Sequence, residues 1–132
     1  MTTRSATTRV FVYGTLLRGE ANHRILACSE LVGPAATPPV FTLVDLGAYP
    51  ALLTGGRHVV RGEVYAVSVA TLAALDRLEG HPTHYTRTRV SLAGGTTADA
   101  YLMSASAGRA YPQITSGDWR AHRRSTRPED RG

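Results

Sequence analysis

Residues 59–80, VVRGEVYAVSVATLAALDRLEG, combine a strand pattern, a helix pattern and signals for both ends of the helix. The first nine of these residues are rich in β-branched and aromatic side chains, which predicts a strand over residues 59–67. Ser68 is a favourable N-cap, and Gly80 suits the position just beyond the end of a helix. The stretch therefore predicts a strand that leads directly into a helix over residues 69–79.

Further short elements are predicted on both sides of this unit. Apolar and β-branched runs predict strands over residues 10–13, 40–45, 85–92 and 97–103. Gly94 and Gly95 separate the last two runs, which predicts an antiparallel hairpin. A short helix is expected over residues 22–28, and prolines exclude helix from residues 34–39. Several strands with a few short helices indicate the α+β class.

Length and charge indicate one folded unit with two polar ends. A chain of 132 residues is long enough for one domain with a stable core. We expect a flexible tail over residues 1–8, one domain over residues 9–119 and a flexible basic tail over residues 120–132. The net charge of +5 comes from residues 1–9 and 120–132, where Glu129 and Asp130 are opposed by Arg4, Arg9, Arg120, Arg123, Arg124, Arg127 and Arg131. The formally neutral body argues against a nucleic-acid-binding platform.

Several other classes of protein are disfavoured. No apolar run approaches the roughly 20 residues that cross a bilayer, and the N-terminus lacks the apolar stretch of a secretory signal. A cytoplasmic protein without membrane contact is expected. Cys28 is the only cysteine, so no disulfide forms within the chain. Of the five histidines only His81 and His84 lie close together, which argues against a metal site.

Glu79 is the most informative polar residue. At 100° per residue it falls within the apolar stripe of the predicted helix, beside Leu72 and Leu75. Loss of hydration and the negative end of the helix dipole both raise the pKa of a carboxylate there, as a general base requires. The alternative is that Glu79 bends at the helix end to reach solvent, or pairs with Arg87 or Arg89.

A second candidate is the tetrad Tyr13-Gly14-Thr15-Leu16, which follows the first strand. Glycine allows the backbone to approach a ligand closely, and successive backbone N–H groups can bind an anion. The loop could hold a carboxylate or an oxyanion. The alternative is an ordinary turn, since glycine-containing turns after strands are common.

Taken together, these motifs resemble the γ-glutamylcyclotransferase family, particularly its γ-glutamylamine cyclotransferase branch and the antibiotic-pathway branch related to the butirosin deprotection enzyme. The resemblance extends over residues 10–119. It rests on short motifs in the family's order, together with Tyr85 and Arg87: VFVYGTL at 10–16, YPAL at 49–52, GEVY at 62–65, LDRLEG at 75–80 and SGDW at 116–119.

The resemblance implies a fold and a set of site residues. The implied fold is a small mixed β-barrel flanked by short helices, with no metal and no organic cofactor. Glu79 becomes the catalytic carboxylate, and the loop that receives the glutamyl group consists of Tyr13, Gly14, Thr15 and Leu16. Tyr49, Tyr85 and Tyr101 are secondary candidates for the cavity wall, and packing in the core is the equal alternative for each.

The resemblance also implies a reaction, in which a γ-glutamyl amide is cleaved to 5-oxoproline and a free amine. A γ-glutamylamine or a γ-glutamylated natural product such as an aminoglycoside is favoured over glutathione. Asp76, Asp118 and Glu20 are candidates to hold a polycationic acceptor. Two rival interpretations stay open: a non-catalytic module of the same fold that binds a small acid, and a nucleic-acid-binding protein that uses the arginine-rich ends. The sequence predicts no oligomeric state.

Overall fold

The chain is described from residue 7 to residue 126 by a computed structural model. Within these residues the strands are β1 Thr7–Val12, β2 Glu30–Ala36, β3 Phe41–Asp45, β4 Pro50–Thr54, β5 Arg61–Ser68, β6 Thr86–Ser91 and β7 Thr97–Leu102. The helices are α1 Val69–Glu79, α2 Ala105–Gly108 and α3 Trp119–Thr126, with a 3₁₀ turn at His23–Leu26. The predicted α+β class is confirmed.

The strands form one mixed sheet in the order β2-β5-β1-β7-β4-β3, and β6 pairs with β7 outside this path. Neighbouring strands are antiparallel except that β7 runs parallel to β1 and to β4. No ladder joins β2 to β3 within residues 7–126, so the sheet is not closed and the expected barrel describes it only loosely. The short link between these strands contains Pro38 and Pro39, which lack the N–H groups that a ladder needs.

The local signals around α1 and the last hairpin are confirmed. The Ser68 hydroxyl accepts the N–H of Thr71 at 3.1 Å, and Gly80 ends α1 in the left-handed conformation with φ of 67°. Strands β6 and β7 pair antiparallel from Thr86 opposite Leu102 to Ser91 opposite Thr97. The connecting glycines both have positive φ values, which a two-glycine turn allows.

Helix α2 was not among the predicted elements, and two elements near the start of the chain also differ from the prediction. The helix expected over residues 22–28 is only the 3₁₀ turn, whose preceding residue Asn22 makes no side-chain cap. Strand β2 was not predicted, because Gly33 and Pro34 within it disfavour a strand. Gly33 and Pro34 are tolerated because β2 is an edge strand, and its register shifts between Leu31 and Gly33. An edge strand tolerates a missing N–H that faces away from its neighbour.

The ends of the domain also differ from the predicted boundaries. Strand β1 begins at Thr7, which pairs with Ser68. At the other end, residues expected in the basic tail form α3, whose first residue Trp119 is buried. Asp118 caps α3 by accepting the N–H of Ala121 at 3.1 Å. The remaining predicted tail residues, 1–6 and 127–132, lie outside the described residues.

The buried apolar side chains form one cluster, and α1 packs on it against β1, β5 and the 3₁₀ turn. Leu75 is the fully buried anchor of that helix, and Leu72 packs partly against the same cluster. This packing fixes the end of α1 beside the loop that follows β1. Between residues 7 and 126 no helix has both the length and the apolar content to cross a membrane.

Candidate active site

A cavity of about 210 Å³ opens where the loop after β1, the start of β4, the end of α1 and strand β7 meet. The eight residues predicted as the catalytic carboxylate, the glutamyl-binding loop and the cavity wall all line it, namely Tyr13, Gly14, Thr15, Leu16, Tyr49, Glu79, Tyr85 and Tyr101. The cavity is therefore the candidate active site.

Six further lining residues were not identified from the sequence: Phe11, Val12, Asn22, Pro50, Leu78 and His84. Phe11, Val12, Pro50 and Leu78 lie within the motifs quoted above, and this position is a signal that could have found them. Asn22 donates from its amide nitrogen to the Thr15 hydroxyl at 3.0 Å. No local signal connects Asn22 to the loop, since the contact depends on the turn between them.

Glu79 is in the last turn of α1 with its carboxyl group largely shielded from water. Burial raises the pKa of this carboxyl group from 4.5 to about 7. Its side chain has no ion pair or hydrogen bond with any residue between 7 and 126. The alternative pairing with Arg87 or Arg89 does not occur, because both guanidinium groups contact aspartates instead.

Arg87 belongs to an ion-pair bridge that ties α1 to the sheet. Arg87 on β6 binds both carboxylate oxygens of Asp76, at 2.9 and 3.2 Å, and reaches Asp99 on β7 at 3.0 Å. The Tyr101 hydroxyl donates to Asp76 at 2.7 Å. Burial opposes ionisation of Asp76, but the hydrogen bonds from Arg87 and Tyr101 prevail and lower its pKa. The bridge holds the turn of α1 that carries Glu79.

We expect Arg87→Met to lower the free energy of unfolding by about 1–3 kcal/mol, because Asp76 and the buried Asp99 each lose their nearest cationic partner. Loosening of α1 should also reduce kcat about tenfold through misplacement of Glu79. Urea unfolding and steady-state kinetics test this. Arg89→Met is the matched control, since that side chain is 73% exposed and contacts Asp99 only at 3.5 Å. Equal kcat values in the two variants would show that the bridge does not position Glu79.

Of the four tyrosines that line the cavity, Tyr13, Tyr85 and Tyr101 hold its wall together through hydrogen bonds of their hydroxyl groups. Tyr13 donates to the Tyr101 carbonyl at 2.6 Å and accepts the N–H of Leu52 at 3.3 Å. Tyr85 donates to the Pro50 carbonyl at 2.9 Å. Burial raises the pKa of Tyr13, Tyr85 and Tyr101, and the nearby charge of Glu79 adds to the effect. Their phenols stay protonated and are already engaged.

Two carbonyl groups of the loop after β1 accept hydrogen bonds from N–H groups that follow closely in the chain. The Gly14 carbonyl accepts from Leu17 at 3.0 Å, and the Thr15 carbonyl accepts from Asn22 at 2.8 Å. The N–H groups of Gly14, Thr15 and Leu16 have no acceptor among residues 7–126. Adjacent unpaired N–H groups on a cavity wall form an anion-binding arrangement.

The carboxylates expected to hold a polycationic acceptor lie away from this cavity. Asp76 belongs to the Arg87 bridge, Asp118 caps α3, and Glu20 pairs with Arg123 at 3.5 Å. Within the described part of the chain, Glu79 is the only carboxylate on the cavity wall. No group of three or more potential metal ligands converges anywhere in residues 7–126.

Comparison with known proteins gives consistent matches. The model of the family described as "Gamma-glutamyl cyclotransferase, AIG2-like" matches residues 10–121. A Vibrio cholerae protein named "Putative gamma-glutamylcyclotransferase" is 47% identical over 110 residues, covering 83% of this chain and 93% of that protein. The Rattus norvegicus protein named "Gamma-glutamylaminecyclotransferase" is 38% identical over 92 residues, covering 63% of this chain and 62% of that protein.

Solved structures agree with the sequence matches. The crystal structure of an AIG2-like protein from Mus musculus has a TM-score of 0.75 and 30% sequence identity, covering 93% of this chain and 92% of that one. The match to the family model over most of the chain, supported by these relatives, confirms the resemblance seen in the motifs. The chain belongs to the gamma-glutamyl cyclotransferase, AIG2-like family.

Proposed function

We propose that this protein cleaves γ-glutamyl amides by closing the glutamyl group on itself, which gives 5-oxoproline and a free amine. The observation that supports this reaction is the position of Glu79, whose carboxyl group lines the cavity without a countercharge and has its pKa raised by burial to about 7. A base of that pKa exchanges protons readily near neutral pH.

The proposed mechanism uses the substrate's own nucleophile. The α-amine attacks the δ-carbonyl carbon through a five-membered ring, so the protein contributes mainly a reactive conformation. Glu79 takes protons from the α-nitrogen and passes them to the departing amine nitrogen as the C–N bond breaks. The N–H groups of Gly14, Thr15 and Leu16 stabilise the tetrahedral oxyanion. No water is consumed, and no cofactor is needed because both reacting groups belong to the substrate.

We further propose that γ-glutamylamines are preferred over glutathione. Among residues 7–126, no arginine lines the cavity to pair with the carboxylate of a peptide leaving group. The rat relative is itself named a gamma-glutamylaminecyclotransferase. A γ-glutamylated aminoglycoside would bring several positive charges to a wall on which, among residues 7–126, Glu79 is the only carboxylate, so a simple amine fits this wall better.

The experiment that tests the function is detection of 5-oxoproline by mass spectrometry from a panel of γ-glutamyl amides that includes glutathione. Release from γ-glutamylamines, with little from glutathione, is the expected result. Binding of γ-glutamyl compounds without any release would favour the non-catalytic module of the same fold, and release from glutathione alone would contradict the proposed preference.

The pKa of Glu79 predicts how kcat/KM falls at acidic pH. Glu79 acts as a base only when ionised, and its pKa of about 7 means that the ionised fraction falls below neutral pH. We expect kcat/KM to fall about tenfold per pH unit below about pH 7 and to level off above it. Initial rates between pH 5 and 8 measure this fall, with Arg89→Met as a control that keeps the midpoint. A midpoint near 4.5 would mean that the base is not buried in the working enzyme.

A further inference from the structure

Three of the side chains lining the cavity are exposed and form its entrance. Tyr49 is 38% exposed, Leu78 is 45% exposed, and His84 is also exposed, whereas the other lining residues are half-buried or buried. We call Tyr49, Leu78 and His84 the rim. Leu78 directly precedes Glu79, so the rim lies beside the proposed base.

The rim continues inward as an aromatic cluster. The ring of His84 meets the ring of Tyr85 edge to face, with 4.8 Å between centroids. Tyr49 approaches both rings, at 6.3 Å from His84 and 6.4 Å from Tyr85. Since Tyr85 is buried, the cluster extends from the cavity wall to the surface. Edge-to-face rings at these distances form a stable apolar surface.

The size of the cavity decides which part of a substrate meets the rim. A volume of about 210 Å³ is below the roughly 300–1,000 Å³ of sites that enclose a drug-sized ligand. If the glutamyl group occupies the enclosed part beside Glu79, the amine that leaves must extend across the rim. The chemistry of the rim therefore acts on the leaving amine.

Among the described residues, Glu79 is the only Asp, Glu, Lys or Arg whose side chain lines the cavity, rim included. Asp76 on α1 and Arg87 on β6 already pair with each other, and Arg87 also pairs with Asp99. A second ammonium or carboxylate group on the leaving amine would lie against apolar side chains without a partner. Desolvation of an unpaired charge is unfavourable, whereas contact of an apolar group with these rings is favourable.

Resting on the proposed cyclotransferase function, we propose that the rim is an acceptor subsite selective for uncharged, apolar leaving amines, arylalkyl amines above all. Tyr49 and His84 provide the faces and edges on which an aryl group packs. Leu78 covers its aliphatic linker next to the scissile bond. The subsite excludes leaving groups whose charges need a partner.

The test compares three γ-glutamyl amides that differ only in the amine: methylamide, 2-phenylethylamide and 4-aminobutylamide. The methylamide is too short to cross the rim and reports the core reaction. We expect kcat/KM for the phenylethylamide to exceed that for the aminobutylamide by about tenfold or more. A ratio of one or less would overturn the rim assignment while leaving the cyclotransferase function intact. Release of 5-oxoproline from none of the three would overturn the function, and the rim assignment with it.

A paired substitution tests whether the rim causes the selectivity. Leu78→Glu supplies the missing carboxylate at an exposed position, so the preference for the phenylethylamide should fall about tenfold. Using the ratio of two substrates within one variant cancels any effect of the new charge on Glu79. Val69→Glu is the control, because Val69 is 69% exposed at the opposite end of α1 and should leave the ratio unchanged. A wild-type ratio in Leu78→Glu would overturn the proposal.

Discussion

Glu79→Gln is expected to fold and to lose about 10²- to 10⁴-fold in kcat, because an amide of the same shape cannot carry protons from the α-amine to the leaving nitrogen. The cavity and the loop N–H groups would remain, so substrate binding should change much less than turnover. Release of 5-oxoproline from a γ-glutamylamine measures the loss. Glu30→Gln is the matched control, since Glu30 is an exposed carboxylate on β2 away from the cavity.

Glu79→Gln is also expected to change how the free energy of unfolding depends on pH. The pKa of Glu79 is raised in the folded protein to about 7, above the ordinary value of 4.5. The folded state therefore holds more protons than the unfolded state between these pH values, and wild-type stability falls as pH rises from about 4.5 to about 7. Glutamine carries no charge and avoids this loss.

We accordingly expect the Glu79→Gln protein to exceed wild type in free energy of unfolding by at most about 3 kcal/mol at pH 8, and to match it near pH 4. Urea unfolding at the two pH values checks the sign and separates lost catalysis from lost folding. Full activity in a folded Glu79→Gln protein would exclude Glu79 as the base.

The parts of the site that the sequence predicted correctly depend on local rules. The direction of Glu79 follows from helical periodicity once Ser68 and Gly80 fix the ends of α1. Likewise, Gly94 and Gly95 predict the β6–β7 hairpin without reference to the rest of the chain. In each case the deciding residues are within one element or one turn of each other.

The parts that were missed depend on contacts between distant segments. Arg87 could have paired with Glu79 or with Asp76, and only the docking of α1 against β6 decides between them. The hydroxyl group of Tyr13 reaches the carbonyl of Tyr101, which is 88 positions away in the chain. The arginines after Trp119 predicted a polar tail from residue 120, whereas the chain continues from the buried Trp119 as helix α3. Tertiary packing overrides composition at such positions.

Gly14→Ala is expected to reduce kcat/KM about 10²-fold, because the added methyl group would force the loop away from its present position. A Cβ atom at Gly14 would lie 2.6 Å from Cγ and 2.7 Å from Cδ of Pro50, well inside van der Waals contact. Either the loop or the start of β4 must move, and both line the cavity. A displacement of about 1 Å at reacting groups commonly has an effect of this size. Overpacking should also lower the free energy of unfolding by about 1–3 kcal/mol.

A second substitution separates this steric cause from a general loss of folding. Pro50→Ala removes both ring carbons that the new methyl group would contact, so the Gly14→Ala/Pro50→Ala protein should regain about tenfold of the lost kcat/KM. Unfolding curves for all the variants identify any protein that is not folded under assay conditions. Wild-type kcat/KM in Gly14→Ala would show that the loop backbone tolerates displacement, and the N–H groups of Gly14, Thr15 and Leu16 would then not be the oxyanion site. If activity is lost and Pro50→Ala does not restore it, the contact with Pro50 does not account for the loss. Glycine would then be required at position 14 because a methyl group there blocks the approach of the substrate to the loop.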